Sequence, residues 1–102
     1  MKKVIKVKVE SVKDNEQIKY IEIRKDLNGH ASIFIKSSPD IATIYNCTRD
    51  AIIDASKYYD AIKDAVFYDT NDYEYDLIDI SIGDVSVADT FEETSIKSLL
   101  ES

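Results

Sequence analysis

A chain of 102 residues with 44% apolar side chains, seven Tyr and three Phe carries enough apolar area for one hydrophobic core, and its length suits a single domain, 1–102. Its formal charge is −7, with one His, one Cys, one Pro and two Gly, a composition that excludes a disulfide framework, a glycine-rich phosphate loop and disorder over the whole length. Lys6, Lys8 and Glu10 interrupt the N-terminal apolar run before a signal-peptide core could form, and no stretch approaches the roughly 18 apolar residues of a membrane span, so a soluble, cytoplasmic protein is expected, in the host cytoplasm if viral.

In chain order, Ile5, Val7 and Val9 alternate with Lys6, Lys8 and Glu10, the period of a half-buried strand. Asp14-Asn15-Glu16 makes a turn, and residues 17–25 give a second strand with Ile21 and Ile23 on one face and Ile18 and Tyr20 on the other. Asn28-Gly29 marks a tight hairpin turn into a third strand, where Ala31, Ile33 and Ile35 alternate with Ser32, Phe34 and Lys36. The polar face of this antiparallel meander is expected to be basic, carrying Lys6, Lys8 and either Lys19 or Arg24 according to register.

Ser38-Pro39-Asp40 is a helix-start signal, and Thr48-Arg49-Asp50 is a second. Ile52, Ala55, Tyr59, Ile62 and Val66 recur at spacings of three and four and predict a helix over about 49–66 that covers the sheet. Residues 39–47 read equally as its first turns, as a short separate helix or as a strand through Ile44 and Tyr45. Tyr73 and Tyr75 alternate with Glu74 and Asp76, after which Ile78, Ile80 and Ile82 take the opposite parity; the shift at Leu77-Ile78 points to a bulge or a late strand entry. Gly83-Asp84 suggests a break and a second hairpin, and Thr90 with Glu93 forms a capping-box pattern that predicts a C-terminal helix with Ile96, Leu99 and Leu100 on its apolar face. The expected fold is α+β: an antiparallel sheet of about four to five strands with a helix on one face and a short closing helix.

Charge is distributed unevenly. Residues 1–36 sum to +4 and residues 37–102 to −11, and ten acids between Asp64 and Glu93 have no Lys or Arg among them. Such a run repels itself and nucleic acid and attracts basic surfaces. Its plain reading is a solvated surface; its sharper one is a docking face made of Asp69, Asp72, Tyr73, Glu74, Tyr75, Asp76, Asp79 and Asp84. Along a strand Glu74 and Asp76 lie about 6.6–6.8 Å apart, and the tyrosines supply anchors or, alternatively, core.

Catalytic chemistry is weakly supported. His30 sits at a turn, where exposure is the default, and Cys47 reads as a small buried or half-buried hydrophobe rather than a nucleophile. No zinc spacing exists, and Asp69-Thr70-Asn71-Asp72-Tyr73-Glu74 fails as a calcium loop because Tyr73 takes a ligand position and Glu74 replaces the glycine. The expectation is no enzyme activity, no cofactor, no metal, no membrane and no direct nucleic-acid binding.

What remains is a protein-binding role with a basic partner: an inhibitor that occupies the nucleic-acid groove of a nuclease or related enzyme. Small size, acidity and lack of catalytic groups are shared, as a class, by phage and mobile-element anti-CRISPR and anti-restriction proteins. Residues 28–61 also resemble the HicB antitoxin domain, with a hairpin, Pro39-Asp40-Ile41, a short apolar segment and a helix bearing Ala51 and Ala55 four apart. The resemblance covers about a third of the chain and departs in the short segment after Pro39, the missing glycines and the lack of a following DNA-binding region. It would imply an antitoxin-like subunit that neutralises a basic ribonuclease toxin. A structural homodimer joined through the Ile52 to Val66 stripe is a third reading.

Overall fold

The computed structural model describes residues 2–10, 17–67, 76–85 and 94–95. Strands β1 (Lys3–Glu10), β2 (Gln17–Lys25) and β3 (Ala31–Lys36) form the expected antiparallel meander. Strand β4 (Ile44–Tyr45) follows a single 3-10 turn at Pro39–Ile41, then come helices α1 (Thr48–Lys57) and α2 (Tyr59–Phe67), strand β5 (Asp76–Asp84) and strand β6 (Thr94–Ser95). The sheet order is β3-β2-β1-β5-β6, antiparallel throughout, with β4 added to β1. The architecture is α+β, a curled antiparallel sheet with the helices packed on one face.

Alternation decides which side chains meet the helices. Ile5, Val7 and Val9 of β1, Ile21 and Ile23 of β2, and Ile80 and Ile82 of β5 share that face and form the core with Tyr45, Ala51, Ala55, Ile62 and Val66. Full burial of an Ile or Val contributes about 1.5–3 kcal/mol, so this layer is a large source of stability among the described residues. Ala51 and Ala55 let α1 approach the sheet closely. Of the predicted stripe, Ala55, Ile62 and Val66 are buried against the sheet, Ile52 and Tyr59 are half-buried, and the neighbouring Ile53 is exposed.

The helix expected over about 49–66 is broken at Tyr58, whose φ of −105° and ψ of 21° leave the helical range. Hydrogen bonds from Tyr58 N to Asp54 O (2.9 Å) and from Ile62 N to Tyr58 O (2.8 Å) bridge the break. No proline causes it. Helix α1 packs on β1, β4 and β5 while α2 packs on β3 and β5, and the bend lets each half follow a differently oriented part of the twisted sheet.

The parity shift in β5 is a bulge: Lys8 lies opposite Asp79 and Val9 opposite Leu77, so Ile78 has no partner on β1. Strand β5 runs through Gly83 without breaking, and the second hairpin partner is Thr94–Ser95, paired with Ser81 and Ile82. The helix predicted from Thr90 is thus not formed at residues 94 and 95, where strand pairing prevails; the rest of that segment, including Ile96, Leu99 and Leu100, lies outside the described residues.

One edge of β1 is shared. Lys6 to Val9 pair with β2, whereas Lys3 and Val4 pair with β4. Beyond this fork Thr43 closes the gap: its N–H donates to Ile21 O (3.1 Å) and its Oγ1 accepts from Ile23 N (2.7 Å). A residue outside any strand thereby satisfies backbone groups of β2 that β1 has left. Thr43→Val, which keeps the shape but removes the acceptor, is expected to lower unfolding free energy by about 1–3 kcal/mol with an unchanged denaturant slope, and Thr43→Ser to recover most of it; chemical denaturation measures both.

Candidate functional site

The expected docking residues fall into two groups. Asp69, Asp72, Tyr73, Glu74 and Tyr75 lie outside the described residues, while Asp76, Asp79 and Asp84 are carried by β5, directly against β1.

The strand pairing places the chain's two charge excesses side by side. Lys3 lies opposite Asp84, Lys8 opposite Asp79 and Glu10 opposite Asp76. Lys3 Nζ is 2.6 Å from Asp84 Oδ1, with both side chains about one-fifth exposed (19% and 20%). That oxygen receives no hydrogen bond of good geometry, so the contact is mainly charge on charge. Asp79 is half-buried and its Oδ1 accepts from Ile80 N at 2.8 Å. An acidic run without counter-ions in sequence thus acquires them across the ladder at Asp84. At the other end of the ladder Glu10, exposed to solvent, stands opposite Asp76 in the strand register. Like charges at directly opposed positions cost stability.

The basic face expected on the meander is not a free surface. Lys6 is fully buried, between Tyr20 of β2 and Ser81 of β5 in register, and is engaged with neighbouring groups. Lys8 is half-buried and likewise engaged. Register assigns Arg24, not Lys19, to this face, since Lys19 lies opposite the core residue Val7. Val4, Lys6, Tyr20 and Ser81 are all buried here, so β1 is covered on both sides. Alternation alone could not show that a lysine would be enclosed. At the β2–β3 margin Arg24 stacks on Phe34 (4.3 Å to the ring centre), Lys36 lies 5.6 Å from the same ring, and Glu22 accepts from Arg24 Nε at 3.0 Å. The Arg24 hydrogen bond holds the Glu22 carboxyl below its ordinary value.

A second polar cluster ties three elements together. Asp54 of α1 accepts from Tyr45 OH (2.9 Å) on β4 and from Lys25 Nζ (3.1 and 3.2 Å) on β2. Burial, and then the Asp54 carboxylate, push the Tyr45 phenol above its ordinary value, so it serves as a hydrogen-bond donor rather than an acid or base. Sequence reasoning missed this cluster because its members are separated in the chain and none belongs to a motif.

Cys47 is exposed, a correction to its expected burial: it sits at the N-cap of α1, where its backbone is extended and its side chain caps nothing. His30 is exposed at the hairpin turn, 3.4 Å from Asp26. Among the described residues no group of three or more His, Cys, Asp or Glu could hold a metal, and no helix is long and apolar enough to cross a membrane. No family model, curated protein or solved structure matches the chain.

The Tyr45 environment sets a pH dependence. A phenol whose value is raised by folding contributes stability that is complete below the unfolded value of about 10 and is lost as pH rises above it. The difference in unfolding free energy between wild type and Tyr45→Phe should be flat below pH about 10 and then fall by up to about 1.4 kcal/mol per pH unit, as measured by denaturation at a series of alkaline pH values.

Proposed function

We propose that the chain is a small acidic protein-binding inhibitor whose docking surface starts at the Glu10 and Asp76 end of the β1–β5 ladder and continues into residues 69–75, against a basic groove on a nuclease or other enzyme that handles DNA or RNA. The observation that supports this reading is the cross-strand opposition of Glu10 and Asp76. A ladder that neutralises Asp84 with Lys3 sets two acidic residues at opposed register positions at its other end, and like charges so placed would be a cost to folding of the kind that persists where a surface is fitted to something else. The net charge of −7 would then steer a basic partner towards that end.

Within this reading the acids have different duties. Asp84 belongs to the fold, since its charge is taken by Lys3. Asp76, with Asp69, Asp72 and Glu74, belongs to the docking surface, with Tyr73 and Tyr75 as its aromatic anchors.

Capture from host lysate at low salt, with mass spectrometry of what salt or duplex DNA or RNA releases, tests the class of partner. A nucleic-acid enzyme displaced by nucleic acid supports the inhibitor; a small ribonuclease toxin supports the antitoxin reading instead; a partner that neither salt nor nucleic acid releases contradicts both. Asp76→Lys separates function from folding. It converts the repulsion with Glu10 into attraction, so stability should rise by about 0.2–1 kcal/mol while association with the captured partner slows. Unchanged association would remove this end of the ladder from the interface.

A further inference from the structure

Strand β3 ends the sheet, and among the described residues no strand lies beyond it. The hairpin that leads into β3 fixes which of its backbone groups face outward. Asp26 N donates to His30 O at 2.9 Å, so this pair is hydrogen-bonded, and bonded and non-bonded pairs alternate along an antiparallel ladder. Continuing the register, Ser32, Phe34 and Lys36 direct their N–H and C=O groups to β2. Ala31, Ile33 and Ile35 direct theirs away from it, to the open edge.

The side chains of the same three residues lie half-buried at the margin of the core. The strand also lacks the usual protections of an exposed edge: it contains no proline, its pairing with β2 shows no register shift, and its single charge, Lys36, stands at one end.

We infer that β3 is the interface of a two-fold dimer, paired antiparallel with β3 of a second copy about an axis at Ile33. In that register Ile33 meets Ile33 of the second copy and Ala31 meets Ile35, so every outward N–H and C=O of the strand gains a partner. The apolar rows of the two cores become continuous. On the opposite face Lys36 falls across from His30 of the second copy, beside Asp26, a carboxylate half-exposed at 53% in the single chain. The two-fold axis repeats this approach of Lys36 to Asp26 at both ends, where Lys36 also lies 3.6 Å from Glu22 of its own chain. Sliding the pairing by two residues one way would leave Ala31 without a partner within the strand and carry Lys36 to a position opposite Ser32, and sliding it the other way would leave Ile35 without one. This complementarity, in hydrogen bonds, apolar parity and charge together, favours a second copy over an unrelated extended segment.

The interface stands apart from the ladder position of Asp76, since β3 and β5 are separated in the sheet by β2 and β1. The test uses the full chain: sedimentation over a concentration series up to millimolar, with amide hydrogen exchange resolved by residue at each end of the series. The expected result is a dimer in which the amides of Ala31, Ile33 and Ile35 are protected, with that protection lost on dilution while Ser32, Phe34 and Lys36 remain protected by β2. A monomer at every concentration overturns the proposal, as does a dimer in which those three amides exchange as freely as in the monomer. Ile33→Pro removes an outward donor without breaking a bond to β2 and should abolish the dimer with the circular dichroism spectrum retained; a folded Ile33→Pro dimer also overturns the proposal. Should that variant not fold, the alternation of protection in the wild-type chain decides the matter by itself.

Discussion

The ladder between β1 and β5 is the constraint on which the rest depends. Strand β1 has both of its edges occupied, by β5 on one side and by β2 and β4 on the other, and both of its faces covered. Such a strand admits little change of register, because a slip by one residue would exchange Ile5, Val7 and Val9 with Lys6 and Lys8. The same pairing brings the basic start of the chain against its acidic second half. Lys3 takes Asp84, Lys8 stands opposite Asp79, and Glu10 is left facing Asp76. Fold and electrostatics are thus settled together: the ladder runs from an ion-paired end to one where two acidic residues share a register position.

Much of this was legible in the sequence where signals are local. Alternation marked β1, β2 and β3, and Asn28-Gly29 marked their second turn, with Gly29 at a φ of +83°. The change of parity at Leu77-Ile78 was a true bulge because a bulge is the only way an extended strand can exchange its faces without leaving the sheet. Other features depend on partners distant in the chain and left no local trace. Thr43 takes its role from the fork between β1 and β2, and the bend at Tyr58 from the twist of the sheet beneath. The enclosure of Lys6 and the exposure of Cys47 both ran against residue-type expectation, the first on a strand buried on both faces with paired neighbours at both edges and the second because a cap position holds the side chain at the surface.

The candidate site was legible only as composition. Counting acids identified an excess, but which of them are available to a partner is a matter of what lies across the strand. Asp84 and Asp76 belong to the same acidic run, yet the register sets the first opposite Lys3 and the second opposite Glu10. Under the proposed reading, the acidic end of the ladder steers and holds a basic partner, while the β3 edge, on the other side of the sheet, doubles the molecule. A dimer so built would present two acidic ends at once, and simultaneous engagement of a partner with two basic sites would raise avidity without any new contact.

The most direct test of the ladder's polarity is a pair of double-mutant cycles for stability, one on Lys3 and Asp84 and one on Glu10 and Asp76, using neutral replacements such as Glu10→Gln and Asp76→Asn at low ionic strength. The expected couplings have opposite sign, stabilising for the first pair and destabilising for the second, each about 0.2–1 kcal/mol and both reduced by salt. A coupling between Glu10 and Asp76 that is zero or favourable would contradict the claim that the fold holds a repelling pair at that end.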